Sequence, residues 1–196
     1  MVGMDTKTAL LDCAEHLART RGFDAFSYAD LADEFGIRKA SIHYHFATKA
    51  DLAGALIDRY NHRFLAQLYA IMDTGQTAAD DLRAYIDLYR EALDRGTRLC
   101  LCVSFSSARD SFDDATLAHL NRFHDDSVTW LTQVFEKAET DASVQGPSAP
   151  AREEAHALLA LVEGAQLSAR TRQSQDPFDL AVSPFLRRLS PPNPLQ

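Results

Sequence analysis

Cysteine is scarce in this chain: Cys13, Cys100 and Cys102 are three in 196 residues. So few and so unevenly spaced, they exclude a disulfide framework and fit a reducing compartment, with Cys13 read as a buried, inert thiol. No apolar run reaches the ~18 residues that a membrane-spanning helix needs. The opening residues, MVGMDTKTALLDCAEHL, also lack the basic segment and apolar block of a secretory leader. The expectation is a cytoplasmic protein with no membrane partner. Glycine-rich phosphate loops are missing, and no Gly-x-Ser-x-Gly turn surrounds Ser104, Ser106 and Ser107. Neither a second cysteine pair nor a His-x-x-x-His follows Cys100-Leu101-Cys102. His119 and His124 stand five apart, off the spacing that puts two ligands on one helix face. These gaps argue against an enzyme, a metal site or a cofactor. A basic excess is missing too, since 20 Lys and Arg face 28 Asp and Glu for a net charge of −8. Residues 1–50 carry six bases against seven acids, and residues 51–196 fourteen against twenty-one. Loose, sequence-blind binding to a polyanion is therefore disfavoured.

What is present is a stretch from Ser27 to Leu52, SYADLADEFGIRKASIHYHFATKADL, around which the chain is organised. Ala32, Gly36, Ile37 and Ile42 fall at the spacing of a helix-turn-helix: a small residue where two helices cross, a glycine able to take φ > 0, and apolar anchors on either side. Ser27 can cap the first helix and Thr48 the third. Between them the pattern predicts a helix of about two turns starting near Arg38. Ile37, Ile42 and Phe46 can point inward. Arg38, Lys39, Ser41, His43 and Tyr44 are left outside, a polar face suited to a major groove. From Phe35 to Ala50 the charges are Arg38, Lys39 and Lys49 with two histidines and no acid, a local basic window.

The string FGIRKASIHYHFATKADL resembles the second half of the DNA-binding domain of TetR/AcrR-family transcriptional regulators. The resemblance is close over residues 5–52 and extends beyond them only in helical layout. It implies a DNA-binding regulator, most often a repressor, that grips a palindromic operator in double-stranded DNA as a homodimer and answers to a small-molecule effector. By the same resemblance Tyr44 and Lys49 would hold phosphates. His43 would reach a base edge or a phosphate, Arg38, Lys39 and Ser41 would face the groove, and Ser27 and Thr48 at the helix starts complete the expected DNA-binding set. Arg38 stands where the family often has Ser or Thr. That leaves the cap of this helix open, and the arginine either reads guanine or holds a phosphate.

Helical periodicity covers the remainder. A first helix is expected from about Asp5 to Thr20, stopped at Gly22, with Phe23 and Phe26 filling the angle to the helix-turn-helix. A long helix from Thr48 through Met72, with Leu52, Leu56, Tyr60, Phe64, Leu68 and Ile71 on one stripe, links a DNA-binding domain (1–47) to a ligand-binding and dimerisation domain (48–196). Further helices are expected from Thr77 to about Arg95, over Arg98–Phe112 as one buried helix, from Asp114 to Thr140, over 151–173, and from Pro177 onward. A mobile loop at 141–150 and a frayed tail at 190–196 complete an all-α fold of about nine helices. In the family the last two long helices pair between subunits in a four-helix interface. VEGAQLSAR resembles part of the first of them, intrachain core being the plainer reading.

The resemblance also implies an effector pocket inside the bundle. Tyr60, Phe64, Tyr89, Cys102, Phe105, His124 and Trp130 are its candidate walls, with core packing as the alternative for each. Arg109 could meet a ligand carboxylate or pair with Asp110 or Asp113. Cys100 and Cys102 suggest a different mode of control. Two residues apart on a helix they would point about 200° from each other, so they should share no metal and form no unstrained disulfide. Arg98 nearby could lower a thiol pKa and make a thiolate for an electrophile or oxidant. A thiol-based redox or electrophile sensor acting through Cys100 or Cys102 is thus the alternative to a reversible effector.

Overall fold

The computed structural model describes residues 6–146 and 149–189. Among them nine α-helices follow one another: α1 Thr6–Arg21, α2 Tyr28–Phe35, α3 Lys39–His45, α4 Lys49–Thr74, α5 Ala78–Ala92, α6 Leu101–Ser106, α7 Asp114–Asp141, α8 Ala151–Arg172 and α9 Asp176–Leu186. Short 3-10 turns lie at Phe23–Ala25 and Arg109–Ser111. The all-α fold read from helical spacing is the fold observed. None of the described helices is long and apolar enough to cross a membrane.

One expected element is much shorter than its sequence suggests. Arg98–Phe112 is not one buried helix, because α6 ends at Ser106. Asp94 and Arg95 turn the chain before it with φ of 44° and 58°. After it, the Ser107 hydroxyl donates to the Val103 carbonyl at 3.1 Å, and Ala108 leaves helical geometry. A serine-rich segment offers its backbone such local partners, and they compete with helix propagation. The described part of the 141–150 loop is tied down. Val144 bridges Leu189, the Gln145 amide donates to the Arg188 carbonyl at 2.7 Å, and Arg188 forms two bonds to Glu154, at 2.9 and 3.0 Å. The expected tail at 190–196 and the first expected helical residue, Asp5, lie outside the described residues.

The chain divides into two compact units. The first comprises Met1–Arg63 with Cys100–Phe123. Its core is built from Leu10, Leu17, Leu31, Ile42, Leu52, Leu56 and Leu101, all fully buried. Phe105 packs against Phe23 and Phe112 with ring centroids 5.0 and 4.6 Å away, and the Ser104 hydroxyl donates to the Ala18 carbonyl at 2.7 Å. A buried carboxylate, Glu15, joins α1 to α4 by pairing with Arg59 and Arg63, and with Arg19 on its own helix. The second unit comprises Phe64–Leu99 with His124–Gln196. Here Trp130 stacks on Tyr85 at 5.5 Å and its indole N–H donates to the Leu68 carbonyl at 3.0 Å. Gln166 on α8 donates to the Tyr89 carbonyl at 2.7 Å, and Arg90 on α5 grips Asp179 on α9 with two bonds at 2.7 and 2.9 Å.

Candidate nucleic-acid interface

Local chemistry fixes the frame of the helix-turn-helix. Ser27 caps α2 in a reciprocal box: its hydroxyl accepts from the Ala29 and Asp30 amides, and its own amide donates to the Asp30 carboxylate at 2.7 Å. The Ser27 hydroxyl, then its amide, hold the Asp30 carboxyl below the usual carboxylate range. Gly36 ends α2 at φ 75°, a left-handed position that costs a side-chain-bearing residue more, and its amide donates to the Ala32 carbonyl at 2.9 Å. Thr48 repeats the box at α4, donating its amide and hydroxyl to Asp51 at 2.8 and 2.9 Å and accepting the Asp51 amide at 3.0 Å. Between these caps α3 starts after Arg38, which is extended and makes no side-chain cap bond.

Ile42 and Phe46 anchor α3 from below. Its other face carries Lys39, Ser41, His43 and Tyr44, all exposed, with Tyr44 at 85%. Lys39 and His43, one turn apart, line a concavity of about 520 Å³ that also takes in Ser27, Asp30 and Lys49. Lys49 behaves differently from the side chains around it. Its ammonium donates to the Phe23 carbonyl at 2.7 Å and to the Phe26 carbonyl, and lies 4.6 and 4.8 Å from the two phenyl centroids. Burial draws its pKa below the ordinary lysine value, with Asp24 and Asp30 opposing that shift. Sequence reasoning missed Tyr28. Its buried hydroxyl donates to the carbonyls of Phe46 and Thr48, clasping the α3–α4 turn, and burial followed by Asp51 pushes its pKa up to about 12. The aspartate halves of the two capping boxes were also missed, although the Ser-x-x-Asp and Thr-x-x-Asp spacings could have shown them.

Comparison with known proteins agrees with this geometry. The model of the family described as bacterial regulatory proteins, tetR family, matches residues 10–56. The HTH-type transcriptional repressor NemR of Escherichia coli K12 is 24% identical over 185 residues, 91% of either chain. A TetR-family regulator from Agrobacterium tumefaciens superposes with a TM-score of 0.84 at 29% identity, covering 95% of this chain and 100% of that one. The reduced form of E. coli NemR superposes at 0.79 and 22% identity, covering 96% and 99%. Residues 10–56 belong to the tetR family of bacterial regulatory proteins, and the rest of the chain is similar to TetR-family regulators in fold. The relatives it matches are described as regulatory proteins and transcriptional repressors.

The effector-wall candidates fall into two groups. Tyr60, Cys102 and Phe105 are buried in the first unit; Phe64, Tyr89, His124 and Trp130 belong to the second. Phe64 meets the rings of Tyr85 and Tyr89 at 6.4 and 6.0 Å, and His124 bonds Glu163 at 3.2 Å. Arg109 takes the ion-pair alternative, with Asp110 at 3.4 Å on the surface. The thiols depart from the helical-wheel expectation. Cys100 precedes α6 in a non-helical conformation, φ −53° and ψ 141°, so its sulfur is not held 200° from that of Cys102, and the two side chains hydrogen bond. The Tyr60 hydroxyl lies 3.1 Å from Cys100 Sγ. Burial alone would raise the Cys100 pKa, but the bonds from Cys102, from Tyr60 and from the Cys102 and Val103 amides outweigh it and bring the thiol down to about 7. Burial, with Cys100 beside it, pushes the Tyr60 hydroxyl well above its ordinary value, so the tyrosine keeps its proton. Arg98, expected to act on this thiol, pairs with Asp94 at 3.3 Å. Among the described residues no three His, Cys, Asp or Glu side chains converge as metal ligands.

Proposed function

We propose that the protein is a homodimeric cytoplasmic repressor that binds a palindromic operator through α3 and releases it when an effector occupies residues 48–196. The observation that carries this reading is the exposed row of Lys39, Ser41, His43 and Tyr44 on a short helix whose frame is fixed by capping boxes on both sides. Arg38, Lys39, Ser41, His43 and Tyr44 face the groove, and Ser27 and Thr48 flank it at the helix starts. A single helix-turn-helix makes few contacts, so two copies related by a two-fold axis read two half-sites. The name of the relative that matches 91% of the chain, a repressor, supports the sign of the regulation. An effector that favours another arrangement of α4 shifts the population away from the DNA-binding form in proportion to its differential affinity. Tyr60, Phe64, Tyr89, Cys102, Phe105, His124 and Trp130 are the side chains proposed to meet it. The test is selection of random duplex DNA by the purified protein at fixed salt. An enriched palindrome is expected; enrichment of a single, unrepeated half-site removes the homodimer from the reading, and no enrichment removes operator binding.

The Cys100 arrangement favours a second reading of the control step. A thiol drawn down to about 7 and bonded to Tyr60 and Cys102 is a nucleophile at neutral pH. In this reading the Cys100 sulfur adds to the β-carbon of an unsaturated carbonyl compound, forming an S–C bond while the α-carbon takes up a proton. Cys100→Ser abolishes release by such compounds under this reading and leaves it intact under reversible binding.

A further inference from the structure

One nitrogen of His43 is already committed. Its Nδ1 lies 3.1 Å from the carbonyl oxygen of Ala47. A carbonyl only accepts, so in the neutral ring Nδ1 carries the proton and Nε2 keeps its lone pair. A second contact sets the ring's tilt: it packs edge to face on Tyr28, centroids 4.9 Å apart at 64°. Tyr28 cannot drift, because its hydroxyl is bonded to the carbonyls of Phe46 and Thr48. His43 is nonetheless exposed and lines the same concavity as Lys39.

A neutral ring held this way presents an acceptor and no donor. A phosphate oxygen is also an acceptor, so it is no partner for this nitrogen. In the major groove guanine shows N7 and O6 and thymine shows O4, again acceptors. The donors there are the N6 amino group of adenine and the N4 amino group of cytosine. Building on the DNA-binding reading proposed above, we infer that His43 is a specificity-determining residue whose Nε2 accepts a hydrogen bond from the exocyclic amino group of an adenine or cytosine. Lys39, one turn earlier and a donor only, takes an acceptor on the same edge of α3. Of the base and the phosphate that the sequence leaves open to His43, the bond to the protein's own backbone favours the base.

The experiment is selection of random duplexes by the wild-type protein and by His43→Ala at pH 8. It is followed by binding to duplexes whose preferred base lacks its amino group: purine for adenine, 2-pyrimidinone for cytosine. Wild type is expected to enrich adenine or cytosine at one position of each half-site, and His43→Ala to lose that preference alone with an unchanged salt slope. Removing the amino group weakens wild-type binding roughly tenfold and leaves His43→Ala unaffected. The wild-type arm needs no variant to fold, so indifference of the wild type to the amino group overturns the inference directly. Uniform weakening of His43→Ala on all sequences, with a shallower salt slope, assigns a phosphate contact and also overturns it. Absence of any enrichment by the wild type removes the DNA-binding reading, and the role of His43 with it.

Discussion

At Lys49 a side chain read for its charge is used for packing. The ammonium bonds the Phe23 and Phe26 carbonyls, so it ties the turn after α1 to the start of α4. Lys49→Met keeps the stem and leaves two carbonyls without their donor, and chemical denaturation should show a loss of about 1–3 kcal/mol. Tyr44→Ala, at a side chain 85% exposed, should leave the midpoint where it is, weaken binding to all DNA sequences alike and flatten the salt slope. A Lys49→Met protein as stable as wild type would return that lysine to the phosphate-binding set. Cys100 gives a pH-dependent counterpart. Its folded pKa, about 7, lies below the ordinary thiol value, so the folded state holds fewer protons than the unfolded one between the two. Stability from this group therefore grows as pH rises through that window and is lost as pH falls through about 7. Alkylation of Cys100 by iodoacetamide, followed by mass spectrometry, should reach half its maximal rate near pH 7. Tyr60→Phe removes a hydrogen bond to the sulfur and should move that midpoint upward; an unmoved midpoint would show that Tyr60 does not stabilise the thiolate.

At the scale of elements, boundaries follow local chemistry and can be tested locally. Thr77 caps α5 with Asp80 as Ser27 caps α2 with Asp30; Thr77→Ala should cost about 1 kcal/mol in denaturation. Gly96 is more demanding. Its φ is 90°, and an added Cβ would stand 2.5 Å from the Ser174 amide nitrogen and 2.7 Å from the Gln173 carbonyl carbon. Both are backbone atoms and cannot swing aside, so Gly96→Ala should cost more than Thr77→Ala, roughly 2–4 kcal/mol. A smaller loss than the cap mutation would mean that the turn after α5 can open. Most helices were legible because amphipathic stripes and Ser or Thr caps are properties of neighbouring residues. Tyr28 was not, because its two acceptors lie 18 and 20 residues away in sequence. The Cys100–Cys102 contact was missed for a related reason. The 200° separation holds on a helix, and Cys100 lies just before one. Over Arg98–Phe112 apolar residues suggested one helix, while the serines between them stopped it.

For the whole molecule, Leu167 on α8 is 44% exposed and Leu180 on α9 73% exposed, an apolar pair on the helices proposed to meet a second copy. Replacing both with glutamate should turn a dimer into a monomer by sedimentation and weaken operator binding; a wild type already monomeric at operator-binding concentrations would end the proposal of a dimer. The net charge of −8 should keep binding to unrelated DNA weak and steeply dependent on salt. The two-part composition of the first unit has a consequence for synthesis. The complete helix-turn-helix has been translated by Arg63, but Ser104 and Phe105, which close on Ala18 and Phe23, come about forty residues later. At about 5–20 residues per second that is a wait of roughly 2–8 s. During this interval the nascent chain carries every side chain proposed to face the groove on an unfinished core. A message cut short in that window therefore yields a protease substrate, and not a short competitor that occupies the operator without answering to any signal.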